Sequence, residues 1–122
     1  MTKYTITTQE LDYLERVALE MGVAARLAVA DTGVLLSQLV FEARHYMHGT
    51  PLVCKPITET HMYYVMGLTS ILSNTSGARY LADVMRRTLG YVYEQRGTMD
   101  AHIYDALLRA NRTAKEVKNE PN

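Results

Sequence analysis

Four side chains of types that can ligate zinc, His45, His48, Cys54 and His61, fall within 17 residues of one another. A structural zinc takes imidazole nitrogen and thiolate sulfur in a tetrahedron. His45 and His48 are three apart, which places both on one face of a helix. Cys54 lies in a segment containing Pro51 and Pro56, and His61 falls in the first turn of the helix that follows, so the four can converge. The spacing matches no zinc motif, however, and one thiolate with three imidazoles is unusual for a structural site. Separate surface histidines and a buried free cysteine are the simpler reading. No metal and no cofactor are therefore expected, and this cluster is kept as the weaker alternative.

Other catalytic chemistries find less support. Glu42-Ala43-Arg44-His45 has the Glu-x-x-His spacing of di-iron carboxylate bundles, but the chain holds no second copy. Asp12 and Glu15 form one acidic pair without a downstream match to complete a magnesium site, since Glu116 and Glu120 fall at the tail. The phosphate-binding GxxxxGK[ST] loop and the GxSxG nucleophile elbow are absent. Cys54 has only Lys55 and the nearby histidines to stabilise a thiolate. The chain reads as a non-enzyme.

Binding chemistry is better represented. Nine of the ten aromatic residues are tyrosine. Tyr91 and Tyr93 lie close in sequence to Arg86, Arg87 and Arg96, and Arg109 and Arg112 follow. Tyr and Arg are enriched where a surface is dry in a complex and wet outside it. These seven residues are the expected partner- or ligand-binding set. They suit a protein partner, or a small anionic nucleotide-type ligand held by tyrosine stacking and arginine–phosphate contacts. Residues 81–111 also resemble a helix-turn-helix, provided that the first helix ends at Gly90. A zero net charge, with Asp100 and Asp105 on the reading helix, weakens the nucleic-acid alternative. Residues 79–118 lean mildly basic, eight basic against five acidic side chains, which hints at a surface and falls well short of a polybasic tract.

Helices must position these groups. Thr7 and Glu10 have capping-box spacing ahead of Leu11, Leu14, Ala18 and Met21, with Gly22 as the stop. A second block runs to Gly49, and Asp31-Thr32-Gly33 can divide it in two, with Asp31 as a cap. Residues 50–57 form a proline-containing loop. Thr58 caps a third helix, Ser76 a fourth that ends at Gly97, and Thr98 a fifth carrying Met99, Ile103, Leu107, Ala110 and Ala114. Alternation of period two is confined to Tyr4-Thr5-Ile6-Thr7, a candidate extended arm. The expected fold is an all-α, single-domain bundle of five or six helices over residues 1–122, with an arm at 1–7 and a frayed tail at 118–122.

The third helix is distinctive. No charged side chain occurs from Thr60 to Ala78, although 21% of the chain is charged. Eight Ser, Thr, Asn and His residues make the run too polar for a membrane span. It reads as a helix buried at the centre of the bundle, or against a second copy of the chain. Small residues at Ala78, Ala82 and Gly90 suggest close helix approach on the fourth helix. Met62, Tyr63, Tyr64 and Met66 are the expected oligomer interface, because adjacent tyrosines point about 100° apart and cannot both face one core. With one cysteine and no basic-then-apolar N-terminal pattern, a cytoplasmic location is expected. The chain is thus read as a homo-oligomeric helical adaptor or inhibitor, of a kind that phages encode, binding a macromolecular partner.

Overall fold

The computed structural model describes the backbone of residues 3–23 and 27–119, and the side chains of 3–21 and 32–110. Five α-helices follow in order: α1 (Thr8–Val23), α2 (Leu27–His48), α3 (Glu59–Ser73), α4 (Arg79–Arg96) and α5 (Ala101–Asn119). No strand occurs among the described residues. The expected cap at Asp31, the Ala114 and Arg112 side chains, and residues 120–122 of the expected tail lie outside what is described. α5 is helical to Asn119.

Local chemistry explains most boundaries. At the start of α1 the Thr7 N–H donates to Glu10 Oε1 at 2.9 Å, and the Glu10 N–H donates to Thr7 Oγ1 at 3.1 Å. This reciprocal box satisfies two backbone donors that a helix start leaves orphaned. Thr58 Oγ1 accepts from the His61 N–H at 3.2 Å and opens α3. Gly97 closes α4 in the left-handed region at φ 73°, with the Thr98 N–H reaching back to the Tyr93 carbonyl at 3.0 Å.

Three boundary expectations are corrected. α2 runs unbroken through Asp31-Thr32-Gly33. Thr32 and Gly33 are buried there, and a mid-helix glycine costs only about 1 kcal/mol against the burial of Leu36 and Leu39. Ser76 does not cap α4. Gly77, at φ 83°, turns the chain after it, so the helix opens at Ala78 without a side-chain cap. Thr98 is consumed in closing α4, and the α5 cap falls to Asp100, whose Oδ1 accepts from the Ile103 N–H at 2.8 Å.

The helices pack around α4. Thr8 at the start of α1 meets Met47 and His48 at the end of α2, and further along Asp12 and Glu15 of α1 meet Arg44, so these two helices run antiparallel. α3 packs on α4 and α5, while α4 touches all four other helices. One continuous core joins Leu11 and Leu14 to Leu36, Leu39, Met62, Val65, Met85, Leu89, Ile103 and Leu107. Tyr4 and Ile6 enter it from the N-terminal segment, with Lys3, Thr5 and Thr7 exposed between them. The sequence placed α3 at the centre; in the fold that position belongs to α4. No helix among the described residues is long and apolar enough to cross a membrane.

Candidate functional site

α4 occupies the centre despite its charges because each of its inward-lying arginines meets a carboxylate. Arg96 Nε donates to Glu42 Oε2 and Nη2 to Oε1, both at 2.5 Å, and Nη2 also donates to the Ile57 carbonyl at 2.6 Å. Glu42 is only 1% exposed. Its carboxylate also accepts from the Tyr46 hydroxyl at 3.0 Å and from the Ile57 N–H at 3.1 Å. The node thereby fixes the end of the proline-containing loop to α2 and α4. The hydrogen bonds that Arg96 donates to Glu42 hold the Arg96 pKa above its ordinary value.

A second node ties α4 to α1. Arg87 makes a bidentate pair with Glu10, one arm at 2.9 Å, and also meets Asp83 and the Thr5 carbonyl. The Arg87 hydrogen bonds bring the Glu10 carboxyl down to about 2. Arg86 pairs with Asp83 at 2.6 Å and lies 6.0 Å from the centre of the Tyr4 ring. That ring sits against Gly90, where any added Cβ would come within 2.6 Å of Cδ1 and Cδ2. At Gly90, where a helix was expected to approach, the Tyr4 ring takes the space.

The seven expected binding residues do not form one surface. Tyr93 is fully buried and its hydroxyl donates to Glu59 at 3.1 Å; burial first, and then the Glu59 charge, raise its pKa. Arg86, Arg87 and Arg96 are engaged in the pairs above. Tyr91 is half-buried and lines a shallow groove with Tyr4, Ile6, Met47 and Gln95. Arg109 is exposed beside α3 and lies 3.4 Å from Asp105, and Arg112 is outside the described side chains. α4 continues through Gly90, so the early helix end that the helix-turn-helix reading requires does not occur.

The histidines and the cysteine are also separate. His45 Nδ1 is 2.6 Å from the Thr50 carbonyl, and His48 Nε2 is 3.2 Å from Thr8 Oγ1. Cys54 is half-buried and His61 is exposed. No three His, Cys, Asp or Glu residues among those described stand close enough to hold a metal ion.

α3 divides the expected interface residues between two faces. Met62 is fully buried and Met66 is 7% exposed, so both anchor α3 inward; placing them at an outer surface is corrected. Met62 Sδ in fact accepts from Arg96 at 3.1 Å. The buried Thr69 and Ser73 bond back to the Val65 and Thr69 carbonyls, each at 2.8 Å, which lets an uncharged polar helix pack dry. Tyr63, Tyr64 and Ile71 project outward at 45%, 51% and 66% exposure. Thr60, Gly67 and Asn74 are exposed as well. The Tyr64 hydroxyl is 3.2 Å from Thr32 Oγ1 on α2, which fixes its ring over the surface. On the other flank, Tyr63, Gly67 and Ser70 border a groove of about 410 Å³ completed by Ala106, Arg109 and Ala110 of α5.

Gly67 and Ile71 were missed as surface residues. Their signal was present: Thr60, Tyr64, Gly67, Ile71 and Asn74 recur at spacings of four, three, four and three. Comparison with protein-family models, with curated proteins and with solved structures gave no match.

Proposed function

We propose that the chain is a small non-enzymatic helical interaction protein whose binding element is the outward face of α3. The observation carrying this reading is an exposed helix face with two tyrosines and an isoleucine and no charge from Thr60 to Ala78. Aromatic and aliphatic residues without charge typify the dry centre of a protein interface. A solvated helix face is instead expected to carry charges, as α5 does with Asp105 and Arg109. The groups best suited to chemistry support the non-catalytic reading, since Arg87, Arg96, Glu10 and Glu42 are bound to one another in structural pairs.

Capture from a lysate of the native host tests the reading by comparing the wild-type chain with Ile71→Glu. Ile71 is 66% exposed, so the substitution leaves the fold intact, which an unchanged melting temperature verifies. Partners recovered by the wild type and lost with the variant are expected. Partners recovered equally by both would move the binding element away from α3.

A further inference from the structure

We infer that the occupant of the α3 face is a second copy of this chain, packed helix against helix across Gly67. This rests on the binding face proposed above and names its partner. Thr60, Tyr64, Gly67, Ile71 and Asn74 follow the alternating spacing of a coiled-coil seam, and every one is exposed. Such a stripe belongs between two helices, yet the chain's own helices bury only the opposite face, through Met62, Val65, Met66, Thr69 and Ser73, and reach the stripe itself at its edges, at the Tyr64 hydroxyl from α2 and beside Gly67 from α5.

Gly67 supplies an independent argument. A glycine inside a helix lowers helix stability relative to alanine. At Gly90 the Tyr4 ring explains the glycine; at Gly67 an added Cβ would meet nothing within 4 Å. No contact within the chain requires its absence, but an approaching backbone would. Gly67 lies at the middle of the seam, where a two-fold axis places it against its own copy.

Charge and area both suit a second copy. An isologous contact lays one patch against the same patch, residue i against j and j against i, so a face of a single charge sign repels its copy and the uncharged α3 face does not. Full burial of a tyrosine covers roughly 150–250 Å², so the two half-exposed tyrosines together offer about 150–250 Å², and Ile71 with the small residues around them brings this to about 400–500 Å² per protomer. The paired area, about 800–1,000 Å², is that of a weak, transient contact and fits a dimer that forms at high micromolar concentration. The contribution per protomer is under a tenth of the 7115 Å² surface. Leu19 and Leu108, which are exposed as well, lie among charges instead. Leu19 adjoins Glu15 and Glu20, and Leu108 adjoins Asp105 and Arg109.

Sedimentation equilibrium from low to several hundred micromolar tests the proposal on three chains. The wild type is expected to reach twice the 13.8 kDa chain mass. Ile71→Glu should weaken association at least tenfold. Gly67→Ala should also weaken it by roughly tenfold while raising the melting temperature of the dilute monomer by a few degrees, because alanine improves the helix and its methyl obstructs the crossing. This opposition of signs distinguishes a helix crossing from a general loss of stability. A wild type that stays monomeric throughout overturns the proposal, as does a dimer indifferent to both substitutions. A monomer that still captures a host protein through Ile71 overturns the second-copy inference and leaves the α3 binding face standing. A monomer that captures nothing removes both.

Discussion

Replacing Arg96 by methionine should remove a large share of the chain's stability. Methionine keeps an unbranched stem but removes both guanidinium bonds to Glu42 and the bond to the Ile57 carbonyl. Glu42, at 1% exposure, then keeps only the Tyr46 hydroxyl and the Ile57 N–H against a full negative charge. Breaking a buried pair from one side costs about 3–5 kcal/mol, because the remaining charge is desolvated and uncompensated. A domain of this size has about 5–15 kcal/mol in total. At roughly 4 °C per kcal/mol the melting temperature falls by about 12–20 °C. Urea denaturation followed by circular dichroism measures the change directly. Adding Glu42→Gln to the same chain removes the stranded charge and should recover about 1–3 kcal/mol. A loss below about 1 kcal/mol for Arg96→Met, or no recovery in the double variant, would refute the node as described.

Gly90→Ala should destabilise by about 2–3 kcal/mol, since the new methyl displaces the Tyr4 ring from its seat; Tyr4→Ala in the same chain should then cost much less than it does alone, as a double-mutant cycle would show. The Glu10–Arg87 pair sets an acid limit. Its folded-state pKa, about 2, lies below the ordinary 4.5, so its stabilisation is complete above pH 4.5 and lost as pH falls toward 2. Denaturation of wild type and Glu10→Gln across that window should show their difference shrinking with acidity; a constant difference would contradict the pairing. Asp100→Ala should lose about 1 kcal/mol as a helix cap, whereas Ser76→Ala should change stability by less than about 0.5 kcal/mol.

The helical elements were legible because their signals are local. Thr7 with Glu10, Thr58 and Gly97 act within four residues of themselves, and each performs the role its sequence position implies. Ser76 and Thr98 failed for a related reason. A neighbouring left-handed glycine, Gly77 or Gly97, fixed where the chain could turn, and the cap moved two residues along. What the sequence concealed was long-range pairing. Arg96 and Glu42 stand 54 positions apart, and Arg87 and Glu10 stand 77 apart. Without knowledge of those partners, the arginines of α4 read as a free basic surface and the uncharged α3 reads as the centre. The fold reverses the two. Charge was a poor guide to burial where each charge found a counterpart, and its absence from α3 marked a face left uncovered. Tyr63 and Tyr64 are both exposed, whereas helix geometry alone requires only that no more than one of them face the core.

Amide hydrogen exchange, measured as protein concentration is raised through the micromolar range, tests most directly whether the α3 face is an interface. Slowing confined to residues 60–74, abolished by Ile71→Glu, is the predicted result. Exchange there that ignores concentration, or protection that develops instead around Leu19, Val34 or Tyr80, would contradict it.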